Sequence, residues 1–144
     1  MRKEKFKSEG ERKIAYFFRK AGIKYIYEHG VFILDDEKPK IWHPDFYLPE
    51  YAVYVEYYGL VGNPDYDQGI KKKTEVYASI GIEVIPVFPN TFNKEWEAYI
   101  LKQILEISKR RMKNIEGNPV LDKCIVKYGV EDIGELYRRI RNCV

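Results

Sequence analysis

The sequence has few cysteines and no long apolar run, and each lack excludes a class of protein. The two cysteines, Cys124 and Cys143, have neither the clustered spacing of a zinc site nor the density of a secreted disulfide framework. No segment approaches the ~18 apolar residues of a membrane span. The charged start over residues 1–5 does not resemble a signal peptide. We therefore expect an intracellular, cytoplasmic protein without a membrane partner.

Glycine-rich phosphate loops, internal repeats and low-complexity stretches are also absent from the sequence. The 144 residues are 45% hydrophobic and 33% charged, which is a globular balance that predicts one domain with a single core. The net charge of +3 favours nucleic acid only weakly. Clustered basic residues contact phosphates without reading base sequence. Four such clusters lie at Arg2, Lys3, Lys5 and Lys7, at residues 71–73, at Lys109, Arg110, Arg111 and Lys113, and at Arg138, Arg139 and Arg141.

A β-hairpin is predicted near the centre of the chain. Two runs of aromatic and β-branched residues, 46–48 and 53–55, flank a turn that begins at Pro49. With a four-residue loop, Asp45 lies directly opposite Glu56. Opposed side chains of an antiparallel pair are roughly 4.5–5.5 Å apart at Cβ, and like charges there are destabilising.

The two opposed carboxylates suggest a cation site. Glu56 interrupts an otherwise apolar strand over residues 52–58, so we expect it to be at least partly buried. A buried carboxylate is costly unless it is paired or metal-bound, and a hard divalent ion takes carboxylate and carbonyl oxygens as ligands. The alternative, in which Asp45 and Glu56 face solvent on a half-exposed sheet, stays open.

A helix over residues 65–79 carries a lysine on its apolar face. That face contains Tyr66, Ile70, Tyr77 and Ile80, and Lys73 completes it, so we expect Lys73 to point toward the core. The alternative is that its ammonium reaches water while its stem packs. Lys71 and Lys72 are expected on a solvated basic face. Tyr77 lies one turn beyond Lys73, where it is either a core tyrosine or a phosphate contact.

The first predicted helix, residues 8–21, carries an acid in the same way. Its apolar face runs through Ile14, Phe18 and Ala21, and Glu11 lies one turn earlier. Ser8 and Glu11 also match a capping box, in which the acid bonds back to the backbone of the first residue, and both roles stay open. Glu9 lies on another face, together with Lys13 and Lys20.

The remaining elements are predicted more coarsely. We expect a strand within residues 25–34, a polar turn over 35–40, and a last strand over 83–88, in which Pro86 favours a sheet edge. His43 is expected to be a strand-entry residue. A helix over 93–112 would pack on the sheet through Trp96, Ile100, Ile104 and Ile107. Two helical patterns, 121–127 and 131–141, would close the core, pair two protomers or hold a basic helix against DNA.

This order of elements and motifs resembles the PD-(D/E)XK nuclease superfamily, which has the restriction-endonuclease-like fold. The resemblance covers residues 8–88. It depends on Pro44-Asp45, on Glu56 eleven residues later, and on the motifs at 8–12 and 73–81. The most similar subtype reads Pro-Asp-Phe, a short turn, then Glu-Tyr-x-Gly, and includes helicase-associated segments and small archaeal or viral nucleases. The family lysine two residues after the acid is absent, because Tyr58 stands there, and Lys73 is expected to replace it.

The resemblance implies a fold, an activity and a set of site residues. The fold would be an α/β (α+β) mixed sheet with an αβββαβ core over residues 1–115, a long C-terminal helix and a helical appendage over 116–144. The activity would be hydrolysis of DNA phosphodiester bonds with Mg²⁺ or Mn²⁺, as an endonuclease and in a homodimer; a DNA-binding module without catalysis is the alternative. Asp45, Glu56 and the carbonyl of Tyr57 would bind one metal ion, Glu11 a second ion or its water, Lys73 would orient the attacking water, and Tyr77 and Lys72 would contact substrate.

Overall fold

A computed structural model describes residues 5–116 of the chain. It has three α-helices and six strands, α1 Glu9–Ala21, β1 Ile26–Tyr27, β2 Val31–Asp35, β3 Lys38–Trp42, β4 Phe46–Leu48, β5 Val53–Tyr57, α2 Pro64–Ser79, β6 Val84–Val87 and α3 Trp96–Glu116, with a 3₁₀ turn at Pro89–Thr91. The predicted α+β class with a mixed sheet is confirmed. The chain divides into two compact units, residues 1–94 and 95–144.

The first unit contains a four-stranded sheet in the order β1-β4-β5-β6. The strands β1, β4 and β5 are antiparallel neighbours, whereas β6 runs parallel to β5 after the crossover through α2. The predicted hairpin register is confirmed, because Phe46 pairs with Val55 and Leu48 pairs with Val53. Pro86 lies in β6 at the edge of this sheet, where its missing amide hydrogen breaks no ladder.

The core of the first unit is built on both faces of the β4–β5 hairpin. Phe46 packs edge-on against Phe18 of α1, with ring centroids 5.5 Å apart, and both side chains are fully buried. Tyr54 lies in a second apolar cluster, with Val31 and Ile33 of β2. Burial of each such large side chain contributes about 1.5–3 kcal/mol relative to exposure, so the hairpin that carries the two acids is anchored in the core on both faces.

Helix α1 has a well-defined beginning and end. Ser8 is its N-cap, and the hydroxyl of Ser8 accepts a hydrogen bond from the Glu11 amide at 3.2 Å. Gly22 ends the helix in the left-handed region at φ 71°, which a residue without Cβ adopts at no steric cost. Ser8 therefore determines where α1 begins, which places Glu11 in its first turn, and Gly22 determines where it ends.

The predictions for residues 25–40 were wrong in two respects. The single predicted strand is two strands, β1 and β2, which belong to different sheets. The predicted polar turn is mostly a strand, because β3 pairs with β2 around a two-residue turn at Asp36 and Glu37. Both turn residues have positive φ, 50° and 64°, a conformation more typical of Asn-Gly. Their side chains therefore did not indicate such a tight hairpin.

The β2–β3 hairpin has one packed face and one exposed face. Phe32, Leu34 and Ile41 are 65%, 58% and 63% exposed, and they share the outer face. On the inner face Asp35 is buried and forms ion pairs with Lys40 at 2.8 Å and with Lys72 of α2 at 2.9 Å. The hairpin is thus tied to α2 through a buried acid as well as through apolar packing.

The described part of the second unit is helix α3. Of the four predicted packing residues, Ile100, Ile104 and Ile107 are buried, with Leu101 beside them, whereas Trp96 is only half-buried. Packing of this face on the sheet and the domain limit at residue 115 stay predictions. The tail helices, both cysteines, the arginines from 138 to 141, Arg2 and Lys3 lie outside the described residues. None of the helices within 5–116 is long and apolar enough to cross a bilayer.

Candidate functional site

Asp45 and Glu56 lie at the open end of the β4–β5 hairpin. Asp45 directly precedes β4, and its Oδ2 accepts a hydrogen bond from the Tyr57 amide at 2.7 Å. Glu56 is in β5 and is 5% exposed. The expected burial of Glu56 is confirmed, and the alternative of two solvent-facing acids is wrong.

The Glu56 carboxylate accepts bonds from three side chains. The ammonium of Lys73 is 2.8 Å from Oε1, and the hydroxyls of Tyr58 and Tyr77 each lie 3.0 Å from Oε2. Two of these donors come from α2, and the third, Tyr58, directly follows β5. An acid that is almost completely buried therefore has both of its oxygens satisfied.

Lys73 points inward, as its place on the helical face predicted. Its side chain is 40% exposed, but its ammonium is paired with Glu56 rather than directed to water. Tyr77 is a core residue at 3% exposure, and its hydroxyl still reaches the site. Ile80, which was predicted on the same face, is 37% exposed, because α2 ends at Ser79.

Tyr58 is a site residue that the sequence reasoning missed. It is 3% exposed and its ring lies 5.9 Å from the Lys73 ammonium. Residues two apart in a strand share a face, so its position after Glu56 was a usable signal. Tyr58 donates a neutral hydrogen bond to Glu56 from the position two residues after it.

Glu11 turns its carboxylate into the molecule. The residue is 4% exposed, and its two oxygens accept hydrogen bonds from the Ser8 and Tyr27 hydroxyls, each at 2.7 Å. Ser8 caps the helix through the Glu11 amide, whereas the Glu11 side chain bonds to other side chains. The expected inward direction of Glu11 is confirmed, whereas the capping-box bond from its carboxylate to the Ser8 backbone is replaced by one to the Ser8 hydroxyl. Tyr27, from β1, was not anticipated, because nothing in its local pattern relates it to α1.

The three acids interact electrostatically around Asp45. Burial, the charges of Glu11 and Glu56 and a hydrogen bond with Glu11 together raise the pKa of the Asp45 carboxyl from 3.8 to about 7, against the lowering effect of the Tyr57 amide. Burial, followed by the charge of Glu56, raises the pKa of both Tyr58 and Tyr77. Their hydroxyls therefore stay protonated and act as donors.

The donor chemistry of this cluster fits a hard divalent cation. Glu11, Asp45 and Glu56 offer only carboxylate oxygens, and Mg²⁺ is commonly held by one or two carboxylates together with water and phosphate oxygens. The same acids raise the pKa of Asp45, as expected where negative charge is uncompensated. Within residues 5–116, no group of three or more His, Cys, Asp or Glu side chains is placed to hold a metal ion by itself. A metal ion at one or two of these carboxylates would therefore need water or substrate oxygens as further ligands.

Lys72 and His43 have contacts within the protein. Lys72 was expected on a solvated face and is 52% exposed, but its ammonium pairs with Asp35. Lys40 and Lys72 lower the pKa of Asp35 to about 2. His43 follows β3, and its Nδ1 lies 3.0 Å from the carbonyl oxygen of Glu28, which agrees with a structural role.

A cleft of about 220 Å³ lies between α2 and the β6 edge. The hydroxyl-bearing rings of Tyr58 and Tyr77 form one part of its wall, and Glu83 is its single charged lining residue. A wall with one acid and no basic residue is unfavourable for an anion such as phosphate.

Comparison with known proteins found no similar protein. No family model matches the chain, and no curated protein or solved structure matches it.

Proposed function

We propose that the protein is a Mg²⁺- or Mn²⁺-dependent deoxyribonuclease that hydrolyses DNA phosphodiester bonds, as an endonuclease of the PD-(D/E)XK type. The observation that carries the proposal is the cluster of Glu11, Asp45 and Glu56, in which burial and the other two acids raise the pKa of Asp45 to about 7. Such a cluster of acids costs stability, and strongly shifted pKa values of this kind are typical of functional sites. The proposal includes a cytoplasmic location and a homodimeric form.

In this proposal Asp45, Glu56 and the Tyr57 carbonyl hold the metal ion, and Glu11 holds a second ion or its water. A divalent ion supplies charge to the scissile phosphoryl oxygens and lowers the pKa of a bound water. The Tyr57 amide orients Asp45, to which it donates at 2.7 Å. The hydroxyls of Tyr58 and Tyr77 orient Glu56 from the buried side.

Lys73 is the group that meets the substrate charge. Its side chain is 40% exposed and its ammonium is adjacent to Glu56. A positive group in this position stabilises negative charge that develops on the phosphate and helps to orient the attacking water. Lys72 and Tyr77 are further substrate contacts in this proposal. Tyr77 would have to exchange its bond to Glu56 for one to phosphate.

A nucleic-acid-binding module without catalysis is the second candidate. It is favoured by Tyr58, which stands where the family has lysine, and by the ion pair that engages Lys73 with Glu56. If that pair persists when DNA binds, no ammonium is left to act on the phosphate. Binding would then remain while hydrolysis is lost.

Cleavage assays on an Asp45→Asn variant test the two candidates. Wild type and variant are incubated with supercoiled plasmid, linear duplex and single-stranded DNA, in Mg²⁺, Mn²⁺ or EDTA. We expect wild type to cut in metal and not in EDTA, and Asp45→Asn to lose at least 100-fold in rate, about 2.7 kcal/mol of barrier. Nicked or linearised plasmid indicates an endonuclease.

Glu75→Gln is the matched control, because it removes a carboxylate from an exposed position of α2. It is expected to cut at the wild-type rate. Wild-type protein that binds DNA in every lane and cuts none supports the binding module. Equal cleavage by Asp45→Asn and wild type would contradict the assigned site.

A further inference from the structure

The Tyr57 ring lies against two glycines beside the carboxylate cluster. A Cβ added to Gly10 would overlap the Tyr57 ring, and one added to Gly59 would come within 2.9 Å of it. Gly10 precedes Glu11 in the first turn of α1, and the amide of Tyr57 binds Asp45. The two glycines thus allow an aromatic ring to lie directly next to the acids.

Phe92 extends this aromatic surface. Its ring centroid is 5.7 Å from that of Tyr57, and the ammonium of Lys13 lies 5.1 Å from the Phe92 centroid. Phe92 is half-buried and Lys13 is exposed on α1. A cation and an aromatic face are therefore presented together, next to the proposed metal site.

The same combination recurs one turn further along α1. Tyr16 is 66% exposed, and the Lys20 ammonium lies 5.9 Å from its ring centroid. Lys13, Tyr16 and Lys20 are spaced i, i+3 and i+7 and share one face of the helix. We call this surface the aromatic–lysine strip; it consists of Lys13, Tyr16, Lys20, Tyr57 and Phe92.

The strip has the chemistry of a surface for unpaired nucleotides. Exposed aromatic rings stack on bases, and lysines neutralise phosphates, in proteins that bind single strands without reading sequence. Duplex DNA would use only the lysines, because its bases are stacked inside the helix. Glu9 shares this face, but Arg12 neutralises it through a hydrogen-bonded pair at 2.6 Å. The charge of the strip is therefore positive.

We propose that the aromatic–lysine strip binds an unpaired strand of nucleic acid and leads it toward Asp45 and Glu11. The delivery of that strand to a cutting site rests on the proposed nuclease function, whereas the binding itself does not. The substrate class follows from the strip: single-stranded DNA, or a duplex with a single-stranded branch or end.

The test is equilibrium binding in EDTA, where hydrolysis does not occur. Fluorescence anisotropy is measured with a labelled single-stranded oligonucleotide and with the duplex of the same length. We expect wild type to prefer the single strand, and Tyr16→Ala to weaken single-strand binding about tenfold while duplex binding changes less than about twofold. Lys13→Ala is expected to reduce the slope of log affinity against log salt by about 0.7.

Phe32→Ala is the matched control, since Phe32 is 65% exposed and lies outside the strip, on β2. It should leave both affinities unchanged. Equal affinity of Tyr16→Ala and wild type for the single strand would overturn the inference, and so would an equal loss on duplex. Phe92→Ala serves as a second variant, accepted only if its circular dichroism matches wild type.

The two proposals fail separately. If wild type cuts DNA while Tyr16→Ala binds single strands normally, the nuclease stands and the strip is refuted. If Tyr16→Ala loses single-strand binding and no protein cuts in metal, the strip stands and the nuclease is refuted.

Discussion

Asp45 and Glu56 are opposed in one hairpin, yet their surroundings are opposite in kind. Glu56 accepts bonds from Lys73, Tyr58 and Tyr77. Asp45 accepts one backbone bond, from Tyr57, and otherwise meets two acids and a desolvating environment, which raise its pKa to about 7. Two identical functional groups on one pair of strands therefore have different roles in stability.

Glu56 and Asp45 therefore contribute to stability with opposite signs. Glu56 contributes to folding through bonds that join β5 to α2. Asp45 costs stability whenever it is ionised, because its folded pKa lies above its unfolded value of 3.8. A cation that binds Asp45 would compensate that cost, whereas Glu56 is already compensated by protein groups.

The largest change in stability is expected for removal of Glu56, the acid whose charge is compensated by protein groups. Glu56→Ala leaves two buried hydroxyls without their acceptor and Lys73 without its partner, so the free energy of unfolding should fall by about 3–5 kcal/mol. Urea unfolding followed by circular dichroism measures this. Glu75→Ala, on an exposed part of α2, should change stability by less than about 0.5 kcal/mol. A loss below about 1 kcal/mol for Glu56→Ala would contradict the bonding described for Glu56.

Removal of the uncompensated acid is expected to have the opposite sign. Asp45→Asn should raise the free energy of unfolding at pH 8 by about 2–4 kcal/mol, because the folded protein no longer ionises a group with a pKa of about 7. The cost in wild type is absent below pH 4, grows as pH rises from about 4 to about 7, and is constant above. The gain should therefore nearly vanish at pH 4. A variant less stable than wild type at pH 8 would show that the fold stabilises the Asp45 carboxylate, which would contradict its raised pKa.

A divalent ion should reduce the contrast between the two acids. At a Mn²⁺ concentration about 100 times the dissociation constant, the wild-type protein gains about 2.7 kcal/mol, seen as a rise in Tm. Asp45→Asn should show little rise, whereas Glu75→Gln should respond like wild type. Ca²⁺ serves as a second hard cation in the same assay. An identical shift in all three proteins would place the metal elsewhere.

A smaller loss of stability is expected from removal of the Tyr58 or Tyr77 hydroxyl. Tyr58→Phe and Tyr77→Phe each remove one hydroxyl donor from Glu56 and should each lower the free energy of unfolding by about 1 kcal/mol. Because both hydroxyls bind the same Glu56 oxygen, the double variant should deviate from additivity. A double-mutant cycle by urea unfolding measures the deviation. Two neutral single variants would mean that Lys73 alone satisfies Glu56.

Asp35 gives the smallest expected effect and extends the comparison to a third acid. Lys40 and Lys72 lower its pKa to about 2, so its contribution to stability is complete above pH 4 and is lost as pH falls toward 2. Asp35→Asn should make the stability curve flatter between pH 4 and pH 2. Acid titration of Tm checks this, with Asp65→Asn as an exposed control. Parallel curves for wild type and Asp35→Asn would exclude the ion pairs in solution.

Local pattern was enough to predict part of the site. The register of the β4–β5 hairpin follows from the loop that starts at Pro49, and it fixes Asp45 opposite Glu56. The inward direction of Lys73 follows from helical periodicity, and the burial of Glu56 from its place in an apolar strand. These features depend on a few neighbouring residues, for which strand and helix geometry leaves little freedom.

Other parts of the site depend on contacts between distant segments. Tyr27 meets Glu11, and Lys72 meets Asp35, only because β1 joins β4 and the β2–β3 hairpin packs near α2. The tight turn at Asp36 and Glu37 contains no glycine, so its sequence did not indicate a two-residue hairpin turn. The periodicity of a single helix or strand does not predict these contacts, because tertiary packing brings the partners together.

The sequence by itself determined the positions of the acids along the chain, the hairpin that opposes two of them and the helical face that carries Lys73. Only the tertiary structure decided that Glu56 would be surrounded by donors and Asp45 by acids. Periodicity sets the direction in which a side chain leaves its own element. Its charge environment is summed over every element that packs around it, and that sum is known only once the chain has folded.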